Sequence, residues 1–319
     1  MNEEQKIIQK YFLPIAKNSE SLQLSNDAAF LNIKKKMVIS SDMMIEDIHF
    51  DKFDDPSYLA QKLLRVNLSD IAAMGAKPYG YTLNLSIPKQ NHQIWLKKFC
   101  KGLANDTQKF NLKLFGGDLG SSKNIFMSVT ILGIISGKFH KEIKAHEGSE
   151  IFVSGTLGDA GIGLQIKKGQ FPSVNKTIKE FFLNKLYTPL PKINLGRSLL
   201  GIADFCKDVS DGFLKEIKFI SEKSNLQANI FLSEIPLSTQ MKKIYNNTKD
   251  KKKIWEHILC SGEDYELLFS VSPKKKYLLK KKKIKNIKCI GYFQKGSGLI
   301  IRDENKKIIK FNNDGFSHF

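Results

Sequence analysis

Residues 66–78 read VNLSDIAAMGAKP, and this stretch decides how helix and strand alternate in the chain. Apolar side chains recur at helical spacing over residues 58–74, which predicts a helix there. Gly75 and Pro78 are typical of a helix end. Apolar residues then alternate with small or polar ones over residues 79–87, which predicts a half-buried strand.

The rest of the first half extends this pattern. The residue types predict a short helix over 3–13, a strand over 36–40, a helix over 92–110, a short strand over 112–115 and a long strand over 125–135. From residue 36 onward the predicted order is β-α-β-α-β-β. This order is typical of an α/β domain with mixed strand pairing.

The second half is predicted to be a separate α/β domain. The polar stretch 137–150 is the candidate linker, so the predicted domains are residues 1–138 and 149–319. After it the pattern predicts a strand over 151–154, helices near 159, 181–186, 198–206 and 213–223, and strands near 229–233, 265–271 and 287–293.

Six short acidic segments stand out in this basic chain. They contain Asn26-Asp27, Ser41-Asp42, Ser69-Asp70, Gly116-Gly117-Asp118, residues 208–212 (DVSDG) and residues 261–266 (SGEDYE). Small neighbours let a backbone approach a ligand, and loops at element ends commonly carry functional groups. Hard oxygen ligands of this kind suit Mg²⁺, which shares its coordination with substrate phosphates. The first interpretation is a Mg²⁺-nucleotide enzyme.

Each acidic segment also has a plainer interpretation. Asn67 and Asp70 lie one helical turn apart, so the pair faces either solvent or a cleft. Asp42, at the predicted strand end, and Asp118, in a predicted Gly-Gly-Asp turn, could be turn formers or helix caps. His49 follows the strand that bears Asp42, and a lone histidine is more often structural than functional.

Two further segments precede predicted helices. Ser210 or Asp211 could cap the helix that begins near residue 213, but one cap leaves the other carboxylate of that segment, Asp208, unexplained. The same helix N-terminus would favour phosphate. The glycine-rich stretch 155–163 matches neither the P-loop nor the dinucleotide fingerprint, so it indicates either phosphate binding or tight helix packing.

Bulk properties narrow the function classes. The hydrophobic fraction of 41% and the aromatic fraction of 10% are typical of a soluble globular protein. No apolar run approaches the ~20 residues that span a bilayer, and the N-terminus resembles neither a signal nor a transit peptide. We therefore expect a cytoplasmic protein without a membrane segment.

The types of basic residue, the cysteines and the histidines argue against specific nucleic-acid recognition and against zinc or nucleophile sites. The net charge is +19, but nearly all basic residues are lysines, and only Arg65, Arg197 and Arg302 offer the guanidinium fork that specific nucleic-acid recognition uses. We expect no specific nucleic acid as a partner. The four cysteines form no CxxC pair and sit among apolar residues, as small buried hydrophobes do. No histidine pair has metal-binding spacing, and no G-x-S-x-G elbow is present.

Taken together and in order, the six acidic segments, extended by residues 66–78, 262–268 and 315–319, resemble the thiamine-monophosphate kinase family. The resemblance runs nearly the full length of the chain. It implies the two-domain α/β fold, with mixed sheets, of the aminoimidazole ribonucleotide synthetase-like ATP enzymes, in which the N-terminal sheet forms a barrel-like core in a homodimer. It also implies transfer of the γ-phosphoryl group of ATP to thiamine monophosphate, with several Mg²⁺ ions.

The resemblance assigns roles by motif. It implies Mg²⁺ ligands, or their close supports, at Asp27, Ser41, Asp42, Asp70, Asp118, Asp208 and Asp211. It implies ATP contacts at Gly117, Asp118 and Ser210, and thiamine monophosphate contacts at His49, Glu263 and Phe316. No residue is implied as a covalent or acid–base catalyst.

Two positions depart from the family pattern. Asn26 stands where a second acidic residue is usual, and residues 137–144 hold lysines where an Arg-rich stretch usually reaches ATP. Lys141 or Lys144 could replace that contact as a point charge. Sister enzymes of the superfamily are weaker alternatives: the first cysteine is Cys100, unlike selenophosphate synthetase, and the chain ends without the C-terminal cysteine of the hydrogenase-maturation dehydratase.

Overall fold

The computed structural model describes residues 3–90, 92–141, 144–311 and 315–316. The chain separates into two compact units. Unit 1 comprises Met1–Ile71 and Ala76–Gly137, and unit 2 comprises Ala72–Gly75 and Lys138–Phe319. Among the described residues, no helix combines the length and apolar character needed to cross a membrane.

Unit 1 has the predicted order of elements. Helix α1 (Glu3–Ile7) continues as a π-helical turn over Ile8–Phe12. It is followed by β1 (Met37–Ile45), α2 (Pro56–Ala73), β2 (Lys77–Ile87), α3 (His92–Lys109), β3 (Leu114–Ser121) and β4 (Phe126–Ile134). The predicted β-α-β-α-β-β succession is confirmed.

The sheet of unit 1 has the strand order β1-β4-β2-β3. The β2–β3 pair is parallel and the other two pairs are antiparallel, so the predicted mixed pairing is also confirmed. Helices α2 and α3 cover one face: the Tyr81 hydroxyl lies 2.7 Å from that of Thr107 on α3. The other face exposes Ile39 and Met43 on β1.

A buried ion pair joins α2 to α3. Arg65 Nε donates to Asp106 Oδ2 at 2.5 Å, and Arg65 Nη2 donates to Asp106 Oδ1 at 2.9 Å. Asp106 is fully buried, and Gln61 donates a further hydrogen bond to it. One of the chain's three arginines is thus used to hold two helices together.

Unit 2 contains seven strands and seven helices among its described residues. In chain order they are β5 (Glu150–Ser154), α4 (Asp159–Lys167), α5 (Lys176–Tyr187), α6 (Ile193–Ser198), β6 (Phe205–Asp208), α7 (Phe213–Ser224), β7 (Leu226–Phe231), α8 (Thr239–Asn247), α9 (Lys251–Cys260), β8 (Leu267–Val271), α10 (Tyr277–Lys281), β9 (Ile287–Lys295), β10 (Leu299–Arg302) and β11 (Ile308–Ile309).

The sheet of unit 2 has the order β11-β10-β7-β9-β5-β8-β6 and a core on each face. The helix predicted over residues 198–206 is wrong. Helix α6 ends at Ser198, Gly201 adopts a φ of +77°, and β6 begins at Phe205. Of the apolar residues that suggested a helix, Phe205 and Cys206 instead pair with β8 in a buried edge strand.

The glycine-rich stretch before and within α4 serves packing. A Cβ on Gly158 would lie 2.5 Å from Ile258 Cα, and one on Gly163 would lie 2.3 Å from the carbonyl oxygen of Phe182. The stretch therefore lets α4 approach α9 and α5 closely, as one of the two interpretations predicted. Asp264 accepts a hydrogen bond from the Gly158 N–H at 2.8 Å, and burial raises the pKa of that carboxyl well above its usual range.

All four cysteines are free thiols, and three of them are buried: Cys100, Cys206 and Cys260. Burial raises the pKa of Cys100 to about 12. Such a thiol is neither a nucleophile nor a metal ligand at neutral pH. The prediction that the cysteines act as small hydrophobes is confirmed for these three.

Candidate active site

Ser41 and Asp42 lie in the middle of β1, because the strand continues through residues 43–45. The prediction that the strand ends before Ser41 is wrong, because residues 41–45 pair with β4 just as residues 37–40 do. Asp42 pairs with buried Val129, whereas Ser41 pairs with Thr130. Successive side chains of a strand point to opposite faces. The Asp42 side chain therefore lies on the helix-covered face and that of Ser41 on the other.

Asn67 and Asp70 on α2 face β1 rather than solvent. Asn67 is fully buried, its Oδ1 accepts the backbone N–H of Asp42 at 3.1 Å, and its Nδ2 donates to the Leu63 carbonyl at 2.9 Å. The Ser40 hydroxyl donates to Asp70 Oδ2 at 2.5 Å. Of the two interpretations of this pair, the inward-facing one is confirmed, and it brings Asp70 to the strand that carries Asp42.

Asp27 and Asp118 line one cavity of about 480 Å³ in unit 1, together with Asn26 and Gly117. The Gly-Gly-Asp segment is not the predicted turn, because it lies within β3, parallel to β2. A Cβ on Gly117 would lie only 1.7 Å from the Leu83 carbonyl oxygen on β2. Only glycine fits there, and its backbone is exposed at the cavity.

His49 lies in the turn that follows β1. Its Nδ1 accepts the backbone N–H of Ile45 at 3.1 Å, which places the proton of the neutral ring on Nε2. The residue is half-buried. It belongs to unit 1, whereas Glu263 and Phe316, the other two residues implied to contact thiamine monophosphate, belong to unit 2.

In unit 2 the segment 208–212 joins β6 to the 12-residue helix α7. Asp208 is buried at the strand end, while Ser210 and Asp211 are half-buried. Gly212, with a φ of +121°, occupies the N-cap position of α7. The interpretation of Ser210 or Asp211 as the cap is therefore wrong, and the Asp211 carboxylate pairs instead with Lys215.

The segment 261–266 lies directly beside segment 208–212. The Glu263 N–H donates to the Ser210 carbonyl at 2.7 Å, and the Tyr265 N–H donates to the Val209 carbonyl at 2.9 Å. Gly262 has a φ of +70°, and a Cβ there would lie 2.4 Å from the Ser210 carbonyl oxygen. The structure thus joins two motifs that are about fifty residues apart in sequence.

Phe316 reaches the same place from the C-terminal segment. Its N–H donates to the Asp211 carbonyl at 2.8 Å, and its carbonyl accepts from Lys215 Nζ at 2.7 Å. Lys215 Nζ also lies 2.6 Å from Asp211 Oδ2. The Phe316 side chain is 44% exposed. Residues 317–319, the end of the family motif, lie outside the described residues.

The residues present fit Mg²⁺, although within the described part of the chain no three His, Cys, Asp or Glu side chains are placed to hold a metal ion. Mg²⁺ commonly takes one or two protein carboxylates and completes its shell with water and substrate phosphates. The pair Asp27 and Asp118 and the pair Asp208 and Asp211 match that donor set. Burial raises the pKa of Glu216, Lys207 opposes the rise, and the charges of Asp208 and Asp211 add to it.

Sequence reasoning missed two side chains at these sites and named a third, Asn67, without placing it. Ser40 donates to Asp70, Lys215 contacts both Asp211 and Phe316, and Asn67 holds the β1 backbone. For Lys215 the available signal was its position four residues after Asp211. For Ser40 the signal was strand alternation with Asp42.

The sequence matches the family model described as AIR synthase related protein, N-terminal domain, over residues 25–135. Together with the two mixed α/β units and their acidic segments, this match defines the class as AIR synthase-related proteins. The chain is also 36% identical over 329 residues to the thiamine-monophosphate kinase of Buchnera aphidicola subsp. Acyrthosiphon pisum, an alignment covering 99% of this chain and 98% of that protein. The chain belongs to the thiamine-monophosphate kinase family.

Solved structures agree with this assignment. The thiamine-monophosphate kinase from Stenotrophomonas maltophilia K279a is 28% identical, with a TM-score of 0.79 over 93% of this chain and 94% of that one. The structure of AaThiL complexed with AMPPCP and TMP is 25% identical, with a TM-score of 0.78 over 92% of this chain and 91% of that one. The predicted fold class is thereby confirmed.

Proposed function

We propose that this chain transfers the γ-phosphoryl group of ATP to thiamine monophosphate, giving thiamine diphosphate and ADP. One observation in the structure carries the proposal most directly. Ser210, Asp211, Glu263 and Phe316, from three separate parts of the chain, form one hydrogen-bonded group in unit 2. One implied ATP contact, one implied metal ligand and two implied acceptor contacts therefore lie together in this group, which supports the proposal. The AaThiL complex, with its nucleotide analogue and TMP, supports the same pair of substrates.

The residues suit a reaction that depends on positioning and charge neutralisation. Phosphoryl transfer asks for little covalent chemistry from the protein. The acceptor phosphate is already anionic at neutral pH, so no strong general base is needed. We assign no acid–base or nucleophilic role, and we propose direct in-line transfer without a phosphoenzyme.

Binding and orientation are then the tasks of the chain's own side chains. In the proposal Asp27 and Asp118 act at the unit 1 cavity, and Asp42 and Asp70 act at β1 and α2. Ser41 supports them through its backbone, because its side chain lies on the opposite face of β1. In unit 2 Asp208 and Asp211 hold metal and Ser210 contacts ATP, while His49, Glu263 and the exposed ring of Phe316 contact thiamine monophosphate. Bound Mg²⁺ would neutralise charge on the two phosphate-bearing substrates and on the transferred group.

The remaining parts of the proposal rest on the family resemblance. A homodimer built on the unit 1 sheet agrees with the exposure of Ile39 and Met43 on its uncovered face. Light scattering after gel filtration measures the mass of the protein in solution and so tests whether it is a homodimer. The cytoplasmic location stays a prediction, as does the replacement of the missing arginine contact by Lys141 or Lys144, both of which are exposed.

The deciding experiment is product analysis with ATP, Mg²⁺ and thiamine monophosphate, with thiamine in a parallel reaction. We expect thiamine diphosphate and ADP in equal amounts, only from the monophosphate and only with Mg²⁺. ATP consumed without thiamine diphosphate would point to a sister enzyme of the superfamily. Stoichiometric protein-bound phosphate during turnover would contradict direct transfer.

Two variants test the site itself. Asp42→Asn and Asp211→Asn should lower turnover by roughly 100-fold, the size of effect seen when one charge-stabilising group is removed. The matched control is Glu180→Gln, because Glu180 pairs with Lys176 at the same four-residue spacing as Asp211 with Lys215 but on helix α5. Unchanged turnover in both aspartate variants would remove them from the site.

A further inference from the structure

Lys215 contacts two residues of the candidate site in unit 2. Its ammonium group lies 2.6 Å from Asp211 Oδ2 and donates to the Phe316 carbonyl at 2.7 Å. A third bond closes the group, from the Phe316 N–H to the Asp211 carbonyl at 2.8 Å. One lysine thus bridges a residue implied to hold metal and a residue implied to hold the acceptor.

The position of Lys215 follows from helix geometry. It lies four residues after Asp211, in the first turn of α7, and helical side chains lean toward the N-terminus. The ammonium group therefore extends back over the segment 208–212. Its side chain is 41% exposed, so it is held by these contacts rather than by the core.

The C-terminal segment is shaped to meet this lysine. Gly315 has a φ of +147°, and a Cβ there would lie 2.6 Å from the Asp211 carbonyl oxygen and 2.9 Å from Lys215 Cβ. Only glycine permits so close an approach, and it brings the backbone of Phe316 within reach of both partners. The segment is thus fixed by backbone bonds while its aromatic ring stays exposed.

We propose that Lys215 is a positioning residue for the acceptor: it fixes Phe316 against the Asp211 loop so that the ring is presented to the thiazole or pyrimidine ring of thiamine monophosphate. This inference rests on the proposed function. Lys215 touches no reacting atom in this scheme. Its removal should weaken acceptor binding and leave ATP binding and the chemical step nearly intact.

Lys215→Met tests the charge, and Gly315→Ala tests the close approach while leaving the lysine in place. We expect each variant to raise the KM for thiamine monophosphate by about tenfold, the loss expected for one charge-assisted hydrogen bond. The kcat and the KM for ATP should stay within about twofold of the unsubstituted chain. Lys176→Met is the matched control, because it removes an exposed lysine from an i,i+4 ion pair in the same unit.

Hydrogen exchange supplies a readout that does not depend on turnover. The Phe316 amide, bonded to the Asp211 carbonyl, should exchange slowly in the unsubstituted chain and in Lys176→Met, and faster in Lys215→Met and Gly315→Ala. Unchanged exchange and an unchanged acceptor KM in both variants would overturn the inference. A fall in kcat at constant KM would also overturn it, since that would place Lys215 in the chemical step.

The two proposals fail in different ways. If the unsubstituted chain forms no thiamine diphosphate, the proposed function falls. If it turns over normally and both variants behave like Lys176→Met, only the role of Lys215 falls.

Discussion

Unit 1 and unit 2 place the same kind of side chain by different means. In unit 1, Asp42 and Asp118 lie within strands and Asp70 lies within a helix, so strand register and helix packing fix them. In unit 2, Asp211 and Glu263 lie in loops held by backbone hydrogen bonds and left-handed glycines. Carboxylates on regular elements depend on distant packing, whereas carboxylates in loops depend on local backbone shape. Substitutions should therefore affect the two units differently.

The largest effect is expected from breaking the packing that supports unit 1. Asp106→Asn removes the carboxylate charge that accepts two hydrogen bonds from Arg65, a residue only 6% exposed. Removing one partner of a buried ion pair costs about 3–5 kcal/mol of unfolding free energy. Urea denaturation followed by tryptophan fluorescence measures this loss.

The chain provides one fluorescent reporter for each unit, since its two tryptophans are Trp95 on α3 and Trp255 on α9. In a Trp255→Phe background the transition of unit 1 should shift to lower urea, and in a Trp95→Phe background that of unit 2 should stay within about 0.5 kcal/mol. The control replaces both partners, Arg65→Met with Asp106→Leu, and should recover most of the loss. An equal shift at both reporters would show that the units do not unfold separately.

A smaller effect is expected from changing loop shape in unit 2. Gly262→Ala introduces a Cβ 2.4 Å from the Ser210 carbonyl oxygen at a φ of +70°. Strain at such a position costs about 1–3 kcal/mol, and the clash should place Gly262→Ala near the upper end. The loop should move as well, so acceptor and metal binding should both weaken.

Comparing Gly169→Ala with Gly262→Ala separates the cost of left-handed backbone strain from the cost of a steric clash. Gly169 has a φ of +81°, but a Cβ there would meet nothing within 4 Å. Its cost should be only that of the left-handed conformation, about 1 kcal/mol. If the two alanine variants lose equal stability, close approach to Ser210 does not matter and the loop is less tightly specified than the structure indicates.

A pH-dependent effect is expected at the N-terminal segment of unit 1. Burial favours a raised pKa for Glu20, but hydrogen bonds from Lys113 and Tyr79 outweigh it and lower the pKa to about 2. Because the folded pKa lies below the ordinary value of 4.5, this contribution to stability is complete above pH 4.5 and is lost as the pH falls toward 2. Glu20→Gln should cost about 1 kcal/mol at pH 7.

The measurement is urea denaturation of Glu20→Gln and of the unsubstituted chain between pH 2 and 7, read at Trp95. The difference between them should shrink through the acid range and vanish near pH 2. A difference that is constant with pH would mean that Glu20 acts through packing. Glu180→Gln, an exposed substitution in unit 2, should leave stability within about 0.5 kcal/mol at pH 7.

Sequence periodicity was sufficient for the order of elements in unit 1 and for seven of the fourteen helices and strands described in unit 2. It missed α6, β6, α8, α9, α10, β10 and β11. It failed where small residues lie inside strands. Gly116 and Gly117 looked like a turn, yet Gly117 stands in β3 because the neighbouring strand leaves no room for a side chain. Ser41 and Asp42 looked like a strand end because polar residues interrupt an apolar run. Close approach between strands is a tertiary property that one sequence does not display.

In the candidate site, too, the local motifs could be predicted from the sequence but their arrangement could not. The acidic motifs were found from residue type alone, because carboxylates beside small residues are uncommon in a basic chain. The grouping of these motifs in space could not be predicted from the sequence. The backbone hydrogen bonds from Glu263 to Ser210 and from Phe316 to Asp211 join segments that are distant in sequence. Lys215 was missed for a further reason: among so many lysines, only its contacts distinguish it from a solvated surface charge.

The smallest stability effect is expected where the functional effect is large. Asp211 and Lys215 are each 41% exposed, and an exposed i,i+4 ion pair contributes only about 0.3–0.5 kcal/mol. Asp211→Asn also removes a negative charge close to Asp208 and Glu216. Its unfolding free energy, read at Trp255 without metal, should therefore stay within about 0.5 kcal/mol of the unsubstituted chain.

The contrast with Asp106→Asn is what makes this last variant informative. Asp106 is a buried carboxylate whose loss should destabilise unit 1, and Asp211 is a half-exposed carboxylate whose loss should lower turnover in a folded chain. A carboxylate that contributes little to stability but lies against two other implied contact residues is better explained by a ligand than by the fold. If Asp211→Asn instead loses more than about 1 kcal/mol without metal, Asp211 belongs to the framework of the loop. The ligand role in this loop would then pass to Asp208 alone, and the Asp211–Lys215 ion pair would be part of what holds the loop.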